Sequence, residues 1–243
     1  MTAKLALVTG AAGGLGRAIA SRLDAEGYRL ALADVKGSQL EAVARDCRDA
    51  TFIAFDLTRR ETLEAGFAAC LERCGIPSLL VNNAGTTFAA PAVKATWDDW
   101  HRVMAVNARG PFFLSALLAR HLAESEMQAS IVNVASTHGL VGIADRSIYG
   151  ISKAAIIQMT RMLAIEWAGR IRVNAIAPGT VLTPSRKALL ADSSARDRML
   201  SRIPSGRFVE ESEIAAAVAY LASADARSVT GQVLTVDGGT TVW

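Results

Sequence analysis

A serine, a tyrosine and a lysine near the middle of the chain have side chains that can move a proton, at spacings that bring them together. Residues 131–136 form a largely apolar run that predicts a buried strand ending at Ser136. After a short loop, Ser147 is predicted to cap a helix. Tyr149 and Lys153 lie four residues apart and therefore share one face of that helix.

The tyrosine–lysine pair has a specific use in acid–base chemistry. A phenol with a pKa of about 10 is a poor proton donor or acceptor near neutral pH. An ammonium group beside it favours the phenolate and lowers that pKa, while a serine hydroxyl could hold a substrate oxygen within reach. The same pair also fits an ordinary helix surface, so its interpretation depends on the rest of the chain.

A glycine-rich loop follows the first predicted strand. Gly10, Gly14 and Gly16 permit a tight turn and let the backbone approach a pyrophosphate at the N-terminus of the next helix. The spacing is G-x-x-x-G-x-G, which differs from the more common G-x-G-x-x-G. A simple tight turn is the alternative, but the position between the first strand and the first helix favours a dinucleotide site.

Asp34 ends the second predicted strand and indicates which dinucleotide binds. A carboxylate at this position accepts hydrogen bonds from the ribose hydroxyls and repels a 2′-phosphate, which favours NAD over NADP. The alternatives for Asp34 are a surface loop acid or a helix cap. Arg17 is the basic residue near enough to favour NADP instead.

Strands and helices alternate along the whole chain. This alternation predicts an α/β fold, a single Rossmann-type doubly wound domain over residues 1–243 with a seven-stranded parallel sheet flanked by helices. One long helical region is expected at 96–125, and residues 179–210 are predicted to form a substrate lid because they follow the carboxyl end of a strand. The predicted strands are 5–9, 29–34, 51–56, 78–85, 131–136, 172–179 and 232–239.

Composition excludes several other classes of protein. The chain has 243 residues, of which 51% are hydrophobic, and no apolar run of membrane-spanning length or signal-peptide core is present. The net charge of +3 comes from arginines scattered among acids, so neither nucleic acid nor a membrane is an expected partner. Cys47, Cys70 and Cys74 have no disulfide or metal-site spacing. We expect a cytoplasmic enzyme with reduced thiols, no metal and a small-molecule substrate.

Together, the motifs resemble the short-chain dehydrogenase/reductase family. They occur in the order of that family and extend over nearly the whole chain. The matching segments are TGAAGGLG (9–16), FDL (55–57), NNAG (82–85), VNARGPF (106–112), NVAS (133–136), YGISK (149–153), VNAIAPG (173–179) and TGQVLTVDGG (230–239).

The resemblance implies a catalytic role for four residues. Tyr149 would be the acid/base, and Lys153 would lower its pKa and bind the nicotinamide ribose. Ser136 would orient the reacting oxygen, and Asn107 would hold a water that relays protons, unless it only fixes a bend in its helix. In oxidation, Tyr149 as phenolate would take the hydroxyl proton while a hydride leaves the carbinol carbon for the nicotinamide.

The resemblance also implies a set of cofactor contacts with NAD. Asp56 in this set has the alternative of capping the following helix. The implied residues are Gly10, Gly14, Leu15, Gly16, Asp34, Asp56, Leu57, Asn83, Gly85, Tyr149, Lys153, Pro178, Gly179 and Thr183.

The substrate is indicated only by two residues near the catalytic serine and tyrosine. His138 and Arg146 could reach the mouth of the pocket, where they would suit a sugar, polyol or sugar acid, although both also fit a solvent-facing loop. The main alternative is an NADP-dependent 3-oxoacyl-thioester reductase, which usually lacks an acid at the position of Asp34. A non-catalytic dinucleotide sensor would be expected to lose the serine, tyrosine or lysine. The resemblance further implies a homotetramer.

Overall fold

A computed structural model describes residues 4–183 and 193–242. Its centre is one seven-stranded sheet in which every neighbouring pair of strands is parallel, in the order β3-β2-β1-β4-β5-β6-β7. The order reverses between β1 and β4, and ligands bind at such a switch point in open parallel sheets. The strands are β1 Leu5–Thr9, β2 Arg29–Asp34, β3 Ala50–Ala54, β4 Leu79–Asn82, β5 Ala129–Val134, β6 Ile171–Pro178 and β7 Val233–Val236.

Helices cover both faces of the sheet, which confirms the predicted doubly wound fold. The α-helices are α1 Gly14–Ala25, α2 Gly37–Arg45, α3 Arg60–Cys74, α4 Trp97–Met104, α5 Gly110–Ala123, α6 Ser147–Glu166, α7 Ser193–Leu200 and α8 Glu211–Ala222. Short 3₁₀ helices lie at Ala92–Lys94, Thr137–Gly139 and Ala224–Ala226. Within these described ranges, no helix is long and apolar enough to cross a membrane.

The side chains of β1 divide between two cores because successive residues of a strand point to opposite faces. Ala6 and Val8 pack with α1, α2 and α8 on one face. Leu5 and Leu7 pack with α3, α5 and α6 on the other face. The continuous apolar run in this strand therefore reflects burial on both sides, as expected for a central parallel strand.

The predicted helical region at 96–125 is divided by a π-helical segment, Ala105–Arg109, between α4 and α5. Thr96 caps α4, and its side chain accepts a hydrogen bond of 3.1 Å from the Asp99 N–H. Pro111 has no N–H, so it cannot donate the hydrogen bond that the Asn107 carbonyl would receive in a regular α-helix. The wider turn therefore coincides with a residue that an α-helical hydrogen-bond pattern cannot accommodate.

Two further predictions are affected by the structure. Ser147 is the first residue of α6, and Arg146 occupies the N-cap position, so the predicted serine cap is wrong by one residue. Of the predicted lid at 179–210, residues 184–192 lie outside the described part. The flanking residue Val181 pairs with Val209. The lid therefore stays a prediction.

The cysteines lie where burial makes a thiol unreactive. Cys70 and Cys74 are buried on α3, and Cys47 is partly buried. Burial, followed by the neighbouring Cys74, raises the pKa of the Cys70 thiol to about 12. No group of three metal-binding side chains converges within the described ranges.

Candidate active site

The carboxyl ends of the central strands border a cleft of about 860 Å³. Its wall is formed by the loop after β1, the ends of β2, β4, β5 and β6, and the first turns of α6. Thirteen of the predicted site residues line it: Gly10, Gly14, Leu15, Gly16, Asp34, Asn83, Gly85, Ser136, Tyr149, Lys153, Pro178, Gly179 and Thr183.

The loop between β1 and α1 has room only for glycine at two of its positions. Gly10 has φ +65°, and a β-carbon there would lie 2.7 Å from the Ala84 Cα. A β-carbon on Gly16 would overlap the carbonyl oxygen of Gly10. Among the described side chains, none caps the N-terminus of α1 at Gly13. Its first N–H groups therefore remain available to an anionic group such as a pyrophosphate.

Asp34 connects the end of β2 to this glycine loop. One carboxylate oxygen accepts a hydrogen bond of 3.1 Å from the Ala12 N–H, and the other accepts one of 3.2 Å from the Lys36 N–H. Each oxygen retains a lone pair for a ribose hydroxyl. Lys36 and Gln39 also line the cleft, and neither was predicted as a site residue. Their position at the start of α2, directly after Asp34, could have indicated them.

Asp56 and Leu57 border a neighbouring pocket of about 410 Å³, which shares Gly10, Asp34 and Gly85 with the main cleft. The Asp56 carboxylate accepts a hydrogen bond of 2.8 Å from the Thr58 N–H. Asp56 therefore stabilises the turn before α3 and also faces the pocket. The capping alternative is wrong, because α3 begins at Arg60 with Arg59 at the N-cap position and no side-chain cap. The cofactor contact of Asp56 stays a prediction.

Ser136, Tyr149 and Lys153 meet at one end of the main cleft. Ser136 follows β5 and is 6% exposed. The Lys153 Nζ lies 5.8 Å from the centroid of the Tyr149 ring, on the same side of α6. It donates a hydrogen bond of 2.8 Å to the Val134 carbonyl, which ties α6 to β5. Tyrosine and lysine are thus both presented to the space beside the serine hydroxyl.

Lys153 holds its charge in a site with little solvent. Its side chain is 4% exposed, and burial lowers the pKa of its ammonium group to about 8. No carboxylate from the described residues forms an ion pair with it. Negative charge that develops in the cleft would therefore be stabilised strongly, because no competing anion neutralises the lysine.

Asn107 lies behind the cleft rather than in its wall. It is 1% exposed in the π-helical segment, and its amide accepts a hydrogen bond of 2.8 Å from the Thr86 N–H. The same amide donates to the Thr86 carbonyl and the Ser152 hydroxyl, each at 2.9 Å. The side chain therefore joins the loop after β4 to α6. Thr86 was another residue that the sequence analysis missed.

The two predicted substrate residues have different surroundings, and neither lines the cleft. The His138 Nδ1 lies 3.2 Å from the Ser136 hydroxyl, and its ring is edge-on to Tyr149 with centroids 5.5 Å apart. Arg146 donates a hydrogen bond of 3.3 Å to the Phe88 carbonyl. His138 therefore contacts the proposed reaction centre, whereas Arg146 supports the loop after β4.

The end of β6 is held close to the turn after β7. A β-carbon on Gly179 would lie 2.8 Å from the Asp237 Cα. Asp237 is buried and accepts hydrogen bonds from the Gly239 N–H at 2.9 Å and the Thr241 N–H at 2.8 Å. This packing positions Pro178 and Gly179 at the cleft. The VDGG motif was noted in the sequence, but this supporting role of Asp237 was not predicted.

Comparison with known proteins agrees with this geometry. Residues 10–241 match a family model described as enoyl-(acyl carrier protein) reductase. The chain belongs to the short-chain dehydrogenase/reductase family. Family members exchange a hydride between a nicotinamide cofactor and an alcohol or ketone, so this short-chain dehydrogenase/reductase is an oxidoreductase acting on CH–OH groups.

Relatives of this short-chain dehydrogenase/reductase act on different compounds. Galactitol 2-dehydrogenase (L-tagatose-forming) from Cereibacter sphaeroides is 40% identical over 243 residues, covering 98% of this chain and 95% of that protein. The 3-oxoacyl-(acyl-carrier-protein) reductase FabG from Thermotoga maritima is 36% identical over 241 residues, covering 97% of both. A solved structure from Agrobacterium tumefaciens with bound NADP is 35% identical, covers 99% of this chain and 97% of that one, and has a TM-score of 0.87. Membership of the family therefore does not select NAD over NADP.

Proposed function

We propose that this protein is an NAD-dependent dehydrogenase of secondary alcohols in small polyhydroxy compounds. The observation that carries the proposal is the placement of Tyr149 and Lys153 beside Ser136, with the lysine Nζ 5.8 Å from the phenol ring. An uncompensated cation next to a phenol and a serine hydroxyl is suited to moving a proton to or from an oxygen on the substrate.

The cleft fits a dinucleotide, as the glycine loop, the open N-terminus of α1 and Asp34 indicate. In the proposed complex, Gly10, Gly14, Leu15 and Gly16 bind the pyrophosphate. Asp34 binds the adenosine ribose, Asp56 and Leu57 lie near the adenine, Asn83 and Gly85 support the middle of the cofactor, and Pro178, Gly179 and Thr183 contact the nicotinamide end. When bound, the nicotinamide supplies or accepts a hydride.

The residues of the protein supply the proton transfer and the orientation. Tyr149 takes the hydroxyl proton in oxidation and returns it in reduction. Lys153 stabilises negative charge on the phenolic oxygen and binds the nicotinamide ribose. Ser136 donates a hydrogen bond to the substrate oxygen. The Asn107 side chain is occupied by protein partners, so we propose that its main-chain carbonyl holds the water that relays the proton.

The choice of NAD rests on Asp34, whose carboxylate repels a 2′-phosphate. A second candidate is an NADP-dependent reductase of 3-oxoacyl thioesters, because Lys36 lines the cleft two residues after Asp34 and offers a cation to a 2′-phosphate. The 3-oxoacyl-(acyl-carrier-protein) reductase from Thermotoga maritima is a relative of comparable identity. We favour the first candidate because the carboxylate, and not the lysine, is fixed by hydrogen bonds to the glycine loop.

For the substrate we propose a polyol, sugar or sugar acid. The galactitol dehydrogenase relative supports this class. His138, beside Ser136 and Tyr149, is proposed to bind a substrate hydroxyl. Arg146 is proposed to contact the substrate near the mouth of the cleft. Residues 179–210 are proposed to close over the bound substrate as a lid.

We further propose that the protein is a cytoplasmic homotetramer without nucleic-acid or membrane partners. Large apolar side chains on α5 and α6 are exposed in the single chain, including Phe113 (51%), Ile151 (48%) and Ile165 (76%). Val242, near the C-terminus, is 85% exposed. Subunit contacts along these two helices and the C-terminal segment would bury this surface.

The test is to replace Tyr149 with phenylalanine and to follow reduced nicotinamide by absorbance with a panel of polyols. We expect kcat to fall by about 10²–10⁴-fold, because the proton-transfer group is lost, while the Kd for NAD changes by less than about threefold. Tyr220→Phe is the matched control, since Tyr220 is 44% exposed on α8, away from the cleft. The proposal would be overturned if Tyr149→Phe turned over substrate nearly as fast as the control. The second candidate would be favoured if the wild type reduced an oxoacyl thioester with NADPH but oxidised no polyol with NAD.

A further inference from the structure

A second cleft, of about 530 Å³, lies at the amino ends of the strands. It is bordered by residues that precede or begin β1, β2, β4, β5 and β6, and by the segments that follow α6 and α8. This edge of the sheet is opposite the edge with the candidate active site, so the two clefts are separated by the length of the strands. Its volume lies within the range of about 300–1,000 Å³ typical of small-molecule sites.

Four cationic side chains line this second cleft: Lys4, Arg170, Arg172 and Arg227. No aspartate or glutamate is among its lining residues, and none of the four cations has an ion-pair partner in the part of the chain that is described. Burial lowers the pKa of Arg172, as expected for a positive charge without a compensating anion.

Two of the arginines have a structural role that must be considered first. Arg170 donates hydrogen bonds of 2.9 and 2.7 Å to the carbonyls of Leu122 and Ser125 at the end of α5. Arg172 donates hydrogen bonds to the carbonyls of Leu221 at 2.8 Å, Val229 at 3.3 Å and Ser223 at 3.4 Å, after or near the end of α8. These contacts use only some of the five N–H groups on each guanidinium, so donors remain available in the cleft.

The helix ends do not balance the positive charge. Each helix C-terminus contributes a partial charge of about −0.5. The segments after α6 and α8 line this cleft, and the end of α5 is in contact with Arg170. Against four full positive charges, an excess of about two to three remains. Burial and the nearby Glu26 carboxylate raise the pKa of Tyr28 in the cleft wall. Glu26 already forms an ion pair with Arg22 at 2.9 Å, so it does not neutralise the cleft. The excess is therefore suited to a ligand with at least two negative charges.

We propose that this cleft binds a small phosphate-bearing anion that carries two or more negative charges. Guanidinium groups bind phosphate oxygens with paired N–H donors, and a lysine adds a mobile point charge. The Tyr28 hydroxyl offers a further hydrogen-bonding group in the wall. The concave shape and volume favour a small molecule over a macromolecular surface.

The test is calorimetric titration of the full-length protein with pyrophosphate. Because pyrophosphate also suits the glycine loop, the titration is made with saturating NADH. The variant Lys4→Gln/Arg227→Gln removes the two cationic groups of the cleft whose side chains donate no hydrogen bond to the described residues. The control Lys94→Gln/Arg161→Gln removes two exposed cations elsewhere. Thermal unfolding without ligand confirms that both variants fold.

We expect pyrophosphate to bind the wild type and the control with equal affinity, and the affinity of Lys4→Gln/Arg227→Gln to be at least tenfold lower. The affinity should also fall as salt is increased, because the contacts are electrostatic. Absence of binding to the wild type, or equal affinity in both variants, would overturn the proposal. Citrate binding as tightly as pyrophosphate would overturn the assignment to phosphate. Binding of NADH is measured separately by its fluorescence, and a failure of NADH to bind would count against the proposed function alone. The second cleft is tested by the number of pyrophosphate sites that Lys4→Gln/Arg227→Gln weakens, because neither substitution touches the glycine loop.

Discussion

Replacement of Lys153 with methionine should remove a pH dependence from the stability of the fold. Lys153 is 4% exposed, and burial lowers the pKa of its ammonium group from 10.5 to about 8. Between these two pH values the unfolded chain binds more protons than the folded protein, so stability rises with pH. The contribution of this group is therefore least favourable below about pH 8 and improves towards pH 10.5.

The expected magnitude follows from the difference in pKa. One pKa unit corresponds to about 1.4 kcal/mol, so the buried charge costs about 3 kcal/mol at neutral pH. Deprotonation between pH 7 and pH 10 recovers most of this, about 2–3 kcal/mol. Methionine retains an unbranched apolar stem but loses the hydrogen bond of 2.8 Å from Nζ to the Val134 carbonyl. That loss, about 1 kcal/mol for a neutral donor, is common to both pH values. The additional strength of the bond from the ammonium form is already contained in the pKa of Lys153, so it adds nothing to the comparison.

The assay is urea unfolding of wild type and Lys153→Met at pH 7 and pH 10, at one protein concentration. The free energy of unfolding of the variant minus that of the wild type should fall by about 2–3 kcal/mol from pH 7 to pH 10. Lys94→Met, at an exposed position, is the control and should show little change. A difference for Lys153→Met that stays constant within about 0.5 kcal/mol would refute the reasoning, because the charge would then not be desolvated in the folded protein.

Two other predictions concern the cofactor end of the cleft. Asp34→Asn keeps a side-chain acceptor for the Ala12 N–H but removes the negative charge. We expect the ratio of kcat/KM for NADP to kcat/KM for NAD to rise by at least about tenfold. An unchanged ratio would show that the charge of Asp34 does not select the cofactor. Gly16→Ala should weaken NAD binding and lower the free energy of unfolding by about 1–3 kcal/mol, because the added methyl group overlaps the Gly10 carbonyl. In Gly142→Ala, the control, the methyl group meets no described atom within 4 Å. Equal urea midpoints for the two alanine variants would contradict this argument.

The architecture was predictable because the inner strands β1, β2, β4 and β5 are buried on both faces. Their largely apolar runs end at turns, and β2 lies at the predicted 29–34. β3 ends at Ala54 instead of at the predicted residue 56. Asp56 leaves the sheet to stabilise the turn before α3, a preference that competes with strand pairing for this residue type. Such local competition limits how well a strand end can be read from hydrophobicity.

The division of the region 96–125 was not predicted, since its apolar pattern is helical throughout. The signal that was present is Pro111, which cannot donate to the carbonyl four residues before it. Asp34 and Ser136 were predicted from their positions at the ends of strands. The cleft residues after β4 and β6 were implied only by the resemblance to the family. Lys36 and Thr86 were missed because the contacts that give them a role are made across the fold, as between Thr86 and Asn107.

The π-helical segment also restricts how this region can evolve in length. Successive residues of an α-helix are rotated by about 100°, and a π-turn contains one residue more than an α-turn. Deletion of one residue within Ala105–Arg109 would convert the wide turn to an α-turn and leave the orientation of α5 relative to α4 nearly unchanged. The same deletion within α4 would rotate all the residues that follow by about 100°. Leu114, Leu118 and Leu122, which are fully buried against the sheet, would then turn away from it. A change of one residue in length should therefore be accepted in the π-helical segment far more readily than in the α-helix before it.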